Sequence, residues 1–291
     1  MPFSLAILTD EVSQELSDVI RFAKEFDLDG IEVRSLFGRA FIDLTAADLK
    51  IISDQTRDAG IRVAACASPV FKCNLDEPAE IAAHKELFKR SIEAAHILDT
   101  GLVRVFTFLR RSHPATPGDL EHAASHFHHL LELIHGTGIR IGVENEASCI
   151  VGSGREMQKF LSHLPADPRL GVVWDPCNVL YLDGSTDPVF DDFPLIASRV
   201  IDVHVKDAQR DGIRAAQTCV ELGTGQVNFP AQLTSLRALN YSGWITLETH
   251  WRDVSLDPAL QHLPAGYAFS ANAEPASRIC MTHLQRFINQ K

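Results

Sequence analysis

Four short stretches of this chain set an acid or an imidazole within or at the end of an apolar run. They are Ile141-Gly142-Val143-Glu144-Asn145-Glu146, Val172-Val173-Trp174-Asp175, Val200-Ile201-Asp202-Val203-His204-Val205-Lys206-Asp207 and Trp244-Ile245-Thr246-Leu247-Glu248-Thr249-His250. Carboxylates with one imidazole form an oxygen-rich donor set, which suits Mn2+ or Mg2+ and also accepts Co2+ or Zn2+. No one stretch carries enough ligands by itself. The stretches meet only if they are strands whose ends gather at one mouth of a parallel barrel.

Strand alternation sorts their side chains. Ile201, Val203 and Val205 are expected to face a surrounding helical layer, and so are Ile245, Leu247, Ile141, Val143, Val172 and Trp174. The interior then receives Asp202, His204, Lys206, Thr246, Glu248, His250, Gly142, Glu144, Glu146, Val173 and Asp175. Charged groups pointing inward are costly unless something neutralises them. One solution is a divalent cation bound by three carboxylates and an imidazole. The other is a set of buried ion pairs with Lys206, Arg34 or Arg104 and no metal. Glu144 and Glu146 share a face, so either could be the fifth-strand ligand.

Elements able to position these groups run through the whole chain. Strand-like runs occupy 5–9, 30–34, 62–68, 102–108, 140–146, 171–175, 200–206 and 244–249. Helical patterns lie between them at 16–26, 46–59, 81–98, 119–135, 155–164 and 230–239, with a final helix at 278–289. Strands alternating with helices imply parallel pairing through crossovers. Eight such units predict a closed (β/α)8 TIM barrel, one domain over residues 1–291. Gly30, Gly60, Gly101 and Gly138 sit where helices yield to strands, as C-cap glycines do. Thr45 before Ala46-Ala47-Asp48 reads as an N-cap. The small-residue-rich segment 253–277 is expected to cover the barrel mouth.

With 45% hydrophobic and 22% charged residues in 291, the chain can build a large core. Its net charge of -11 argues against a nucleic-acid-binding surface. The six cysteines, Cys66, Cys73, Cys149, Cys177, Cys219 and Cys280, include no C-x-x-C pair and read as reduced, mostly buried thiols of a cytoplasmic protein. No signal peptide or membrane span is expected, hence no membrane partner.

Val143-Glu144-Asn145, Trp174-Asp175-Pro176-Cys177-Asn178, Val203-His204-Val205-Lys206-Asp207, Gly223-Thr224-Gly225 and Thr246-Leu247-Glu248 resemble the motifs of the xylose isomerase-like TIM-barrel superfamily. More narrowly, they resemble its sugar phosphate isomerase/epimerase branch. The likeness runs from Thr9 to about Trp251. It implies that Glu144, Asp175, His204 and Glu248 hold one divalent metal. It also implies that Glu144 and Glu248 move a proton off and onto the carbon beside a carbonyl, through a metal-stabilised cis-enediolate. One departure is Asn178, where many relatives carry a histidine that contacts substrate. Asparagine can donate a hydrogen bond but cannot carry a protonic charge.

Other residues are weighed on their own chemistry. Lys206, Asn178, Glu32, Arg34 and His250 are the candidate substrate contacts; Glu32 and Arg34 serve equally well as a structural ion pair. His122, His126 and His129 read as a solvated helix face rather than a metal site. Gly223 and Gly225 read as a tight turn rather than a phosphate cradle. The expected activity is a metal-dependent isomerase or epimerase of a small keto sugar or sugar phosphate, with a carbohydrate as partner and a homo-oligomer possible. Alternatives are a dehydratase of a keto-inositol-like substrate, an abasic-site endonuclease and a non-catalytic sugar-binding barrel.

Overall fold

The apolar runs pair as eight parallel strands that close on themselves. The computed structural model describes residues 3–112, 114–184, 186–210, 216, 218–253 and 270–290. The barrel strands are β1 (Ser4–Leu8), β2 (Gly30–Val33), β5 (Arg62–Ala67), β6 (Leu102–Val105), β7 (Arg140–Glu144), β8 (Leu170–Trp174), β9 (Val200–Val205) and β12 (Trp244–Leu247). Around the barrel they run β1-β12-β9-β8-β7-β6-β5-β2. Two small hairpins, β3 (Ser35–Leu36) with β4 (Arg39–Ala40) and β10 (Asp207–Ala208) with β11 (Cys219–Val220), follow β2 and β9. The (β/α)8 expectation therefore holds.

Helices α1 (Leu16–Glu25), α2 (Ala46–Ala59), α3 (Pro78–Ile97), α4 (Pro117–Leu133), α5 (Gly154–Ser162), α6 (Pro176–Leu180), α7 (Phe193–Ile196), α8 (Phe229–Ala238) and a last helix, Ala273–Asn289, surround the sheet. Against them pack the outward residues Ile7, Leu247, Val205, Val203, Trp174 and Val143, all at most 1% exposed. Burying each such aliphatic side chain contributes about 1.5–3 kcal/mol. Capping fixes where helices start. Thr45 accepts from the Asp48 amide and Thr116 from the Asp119 amide, each in a reciprocal capping box. Gly60 ends α2 at φ 74°. Among the described residues, no helix is long and apolar enough to cross a membrane.

Several expectations are corrected. The strands expected to reach 108, 146 and 249 stop at Val105, Glu144 and Leu247. Their extensions turn into mouth loops, where Phe108 and His250 take φ of 68° and 48°. The last helix starts at Ala273, five residues before the expected 278. Ile201 does not face the helices. The β8–β9 register slips between Val172 and Val173, so Ile201 is an extra residue. Its side chain fills the space beside Gly171, where a Cβ would come within 2.6 Å. Gly30 is no C-cap either: its missing side chain admits the Trp244 ring, 2.8 Å from where a Cβ would stand. Of the segment 253–277 expected over the mouth, residues 254–269 lie outside those described.

Candidate metal and active site

The four side chains named first do converge. Glu144 closes β7, Asp175 follows β8, His204 lies within β9 and Glu248 follows β12. One ligand atom from each lies within 4.8 Å of the others, and all four residues are buried. The β12–β9 register places Thr246 beside His204, and the Glu248 amide continues that ladder to the Val205 carbonyl. Glu146 lies beyond the end of β7 and pairs instead with Lys72 at 3.4 Å. Geometry thus separates two glutamates that alternation alone left equivalent.

Each ligand is aimed by a neighbour. Asp175 caps α6, its Oδ1 accepting from the Asn178 amide at 3.0 Å. Asn145 grips the Asp175 backbone on both sides, at 2.8 Å each, and the Asn178 amide group donates to the Asn145 carbonyl at 2.8 Å. That leaves Asp175 Oδ2 facing inward. Asn178, expected to meet substrate, instead holds this corner. His204 Nε2 lies 3.1 Å from Glu32 Oε2, both side chains fully buried. A carboxylate on one ring nitrogen sets the tautomer and leaves the other nitrogen for a metal. Of the two readings of Glu32, the structure shows a buried pairing, with His204 as its partner.

The buried ion pairs offered as the alternative are also present. Arg104 Nη1 donates to Glu144 at 2.6 Å. Arg34 reaches Glu248 at 2.5 Å and also Asp10 and Glu11, at 2.9 and 2.8 Å. Lys206 Nζ lies 2.6 Å from Asp175 Oδ2 and 2.7 Å from Glu248 Oε2. His250 lies 3.3 Å from Glu248 and 3.4 Å from Glu11. Sequence reasoning missed Asp10 and Glu11, although they follow the first apolar run as Asp175 follows the sixth. It also missed Arg252, which pairs with Glu11 at 3.0 Å.

Asp10, Glu11, Glu32, Glu144, Asp175, Asp202 and Glu248 are buried around Arg104, Lys206 and Arg252, with Arg34 12% exposed beside them. Protons held by Asp175, Asp202 and His204 make up the charge balance, and a dication would take their place. Several atoms at the centre lack a hydrogen bond of good geometry, Asp175 Oδ2 and His204 Nδ1 among them. His204 Nδ1 is buried 3.4 Å from both Glu144 Oε1 and Glu248 Oε2. Once deprotonated, that nitrogen would face the same point as the carboxylates, so the residues fit a divalent ion.

Electrostatics distinguish the carboxylates. Burial opposes ionisation of Glu144, but Arg104 and His204 outweigh it and hold its pKa at about 2. Burial likewise opposes Glu248, yet Lys206, His250 and Arg34 keep it well below the usual range. Asp175 goes the other way. Burial lifts it to about 7 against the pull of Lys206, with Glu248 and Glu144 adding to the rise. Despite burial, Glu32 and Glu144 raise the His204 imidazole well above its ordinary value. A cation entering here must displace protons from Asp175 and His204.

Nearby loops carry less chemistry. The Gly223-Thr224-Gly225 turn does cradle an anion, but the anion is the chain's own Asp207. Asp207 accepts from the amides of Gly223, Gly225, Val227 and Ala208 at 3.0–3.1 Å. His126 of the helical histidine set is half-buried and packs on Phe108, ring centroids 5.3 Å apart. A cavity of about 680 Å³ opens at the other end of the barrel beside Arg57, Arg62, Arg140 and Trp244.

The family model described as "xylose isomerase-like TIM barrel" matches residues 20–273. No curated protein matches the chain by sequence. Solved structures resemble it over nearly their full length. The IOLI protein with a bound zinc atom superposes with TM-score 0.74 at 16% identity, covering 98% of each chain. The D-allulose 3-epimerase from Methylomonas sp. in complex with D-allulose gives 0.71 at 18%, covering 98% of this chain and 97% of that one. The probable 3-DHS dehydratase AsbF of Bacillus anthracis, involved in petrobactin synthesis, gives 0.70 at 16%, covering 97% and 99%. Identities this low establish likeness of fold.

Proposed function

Because this chain belongs to the xylose isomerase-like TIM-barrel family, we propose that it is a divalent-metal-dependent isomerase or epimerase of a small keto sugar or sugar phosphate. The observation that carries this reading is the buried convergence of Glu144, Asp175, His204 and Glu248 within 4.8 Å, with His204 Nδ1 3.4 Å from both glutamates. Glu144, Asp175, His204 and Glu248 would hold the ion, Mn2+ or Mg2+ by donor type and Co2+ or Zn2+ as substitutes. When bound, the ion supplies Lewis acidity to a substrate carbonyl and the hydroxyl beside it.

The remaining work falls to side chains. Glu144 and Glu248 come from strands on either side of β9, and both are ionised at neutral pH. One takes the proton from the carbon next to the carbonyl; for an epimerase the other returns a proton to the opposite face. Lys206 keeps a positive charge 2.7 Å from Glu248. Arg34 and His250 orient the same carboxylate from the mouth side. The likeness to an epimerase holding D-allulose supports a carbohydrate substrate.

Loss of water after the same proton abstraction is the second reading. The buried Lys206 ammonium could give a proton to a departing hydroxyl, and one structural neighbour is titled a probable dehydratase. Incubation with Mn2+ and a panel of ketoses in D2O tests both. Deuterium gain with a stereoisomer or aldose product supports the first reading; a product lighter by one water supports the second. Full exchange retained in Glu248→Gln would remove that residue from the chemistry.

A further inference from the structure

The cavity at the strands' starting end, away from the candidate metal site, has a volume of about 680 Å³, within the usual size of small-molecule sites. Arg57, Arg62 and Arg140 line it, and among the described residues Asp99 is the one carboxylate that does. Ile61, Leu98, Leu102 and Ile201 give it an apolar wall. Three guanidinium groups on one cavity stand out in a chain whose net charge is -11.

Arg57 has a structural explanation. It lies in the last turn of α2, where a cation complements the carbonyl end of the helix, and it pairs with Asp54 at 2.7 Å. Arg62 is held in place at the rim. Its guanidinium lies 4.4 Å from the centre of the Trp244 ring and donates to Ser4 Oγ at 3.0 Å, with Asp29 further off at 3.6 Å. The Trp244 ring can lie there because Gly30 has no side chain. Arg140 opens β7 with its side chain exposed. Among the described residues that side chain forms no ion pair or hydrogen bond.

We propose that this cavity binds an organic phosphate monoester, its phosphate on Arg140 and Arg62 and its carbon body against Ile61, Leu98, Leu102 and Ile201. Guanidinium forks match the spacing of phosphate oxygens, and two of them match its double charge. The apolar wall favours an ester over inorganic phosphate, because the body removes that wall from water. The Arg62 side chain is 60% exposed, so the attraction is screened by salt. Arg140 and Glu144 are opposite ends of β7, roughly 13 Å apart at the rise of a strand. The two sites share no residue, and this inference does not rest on the proposed activity.

The test is calorimetric titration of the whole protein with phenyl phosphate, and with inorganic phosphate and phenol as the head and the body alone. The expected result is one site per chain, equally strong with and without Mn2+ and weaker as salt rises. Arg140→Ala and Arg62→Ala should each lower affinity by about tenfold or more, the worth of one charge-assisted contact. Circular dichroism and Tm check that both variants fold; where Arg62→Ala disturbs Trp244 and lowers Tm, Arg140→Ala decides. No saturable binding up to about 10 mM, or an affinity unchanged in Arg140→Ala, would overturn the proposal. So would inorganic phosphate binding as tightly as the ester, an adventitious ion only. Binding seen only with Mn2+ would put the phosphate at the metal mouth and overturn it too.

Discussion

Replacing Glu32 with glutamine should weaken divalent-metal binding while sparing the fold. The two effects separate because the two Glu32 oxygens have different surroundings. Oε2 holds His204 Nε2 at 3.1 Å and so directs Nδ1 toward Glu144 and Glu248. Oε1 is buried without a hydrogen bond. Together with burial, the Glu32 charge pushes Asp202 up to about 7. Removing a carboxylate behind a metal-bound histidine costs about 10–100-fold in affinity, or about 1.4–2.7 kcal/mol. At saturating metal the same amount of metal-conferred stability disappears. With an unfolding entropy of about 2.1 cal/mol/K per residue, a chain of 291 residues should show a metal-induced rise in Tm smaller by about 2–4 °C. Without metal, Tm should change little, because the amide oxygen still accepts from His204 Nε2 while the charge that crowds Asp202 is removed. Chelator competition for Zn2+ and Mn2+, with calorimetry in the presence and absence of metal, gives both numbers. Unchanged affinity, or an equal fall in Tm with and without metal, would refute the reasoning.

Three further outcomes follow from the same geometry. The folded pKa values of Asp175 and Asp202, about 7, stand above the ordinary 3.8. Their stabilising contribution is therefore full below about pH 4 and is lost as pH rises through about 7. Chelated protein should thus melt lower at pH 8 than at pH 5.5, saturating Mn2+ should narrow that gap, and Mn2+ binding should release protons in calorimetry across buffers. Glu144→Gln and Glu248→Gln should each lower substrate deuterium exchange by about 10²–10⁴-fold, the usual worth of a positioned base, measured by NMR at saturating metal. Asp207→Ala leaves the amides of Ala208, Gly223, Gly225 and Val227 without their carboxylate and should cost about 2–4 kcal/mol in urea denaturation; a loss under 1 kcal/mol would mean that those amides find water.

The barrel was legible because aliphatic and β-branched residues recur along each strand, broken only at single inward positions such as Glu32, Arg104, Asp202 and His204. The four central side chains were legible because alternation is rigid within a strand. Alternation failed where the ladder stops or slips. It could not rank Glu144 over Glu146, since β7 ends between them. It misplaced Ile201, because a register slip between strands leaves no mark in either strand's own pattern. It did not show that Glu32 pairs with His204 or Asn178 with Asn145, because partners 172 and 33 residues away cannot be read from local spacing. Asp10 and Glu11 went unread although they follow β1 as Asp175 follows β8. Arg34, which links them to Glu248, was read as a substrate contact or as an ion-pair partner of inward acids, and that pairing is present.

The central claim is that barrel closure assembles one cation site. Anomalous diffraction from a crystal equilibrated with saturating Mn2+ tests it most directly. The account predicts one strong peak at the C-terminal mouth, bonded to carboxylate oxygens of Glu144, Asp175 and Glu248 and to His204 Nδ1. A mouth without a peak, with Lys206 and Arg34 still neutralising those carboxylates, would contradict it.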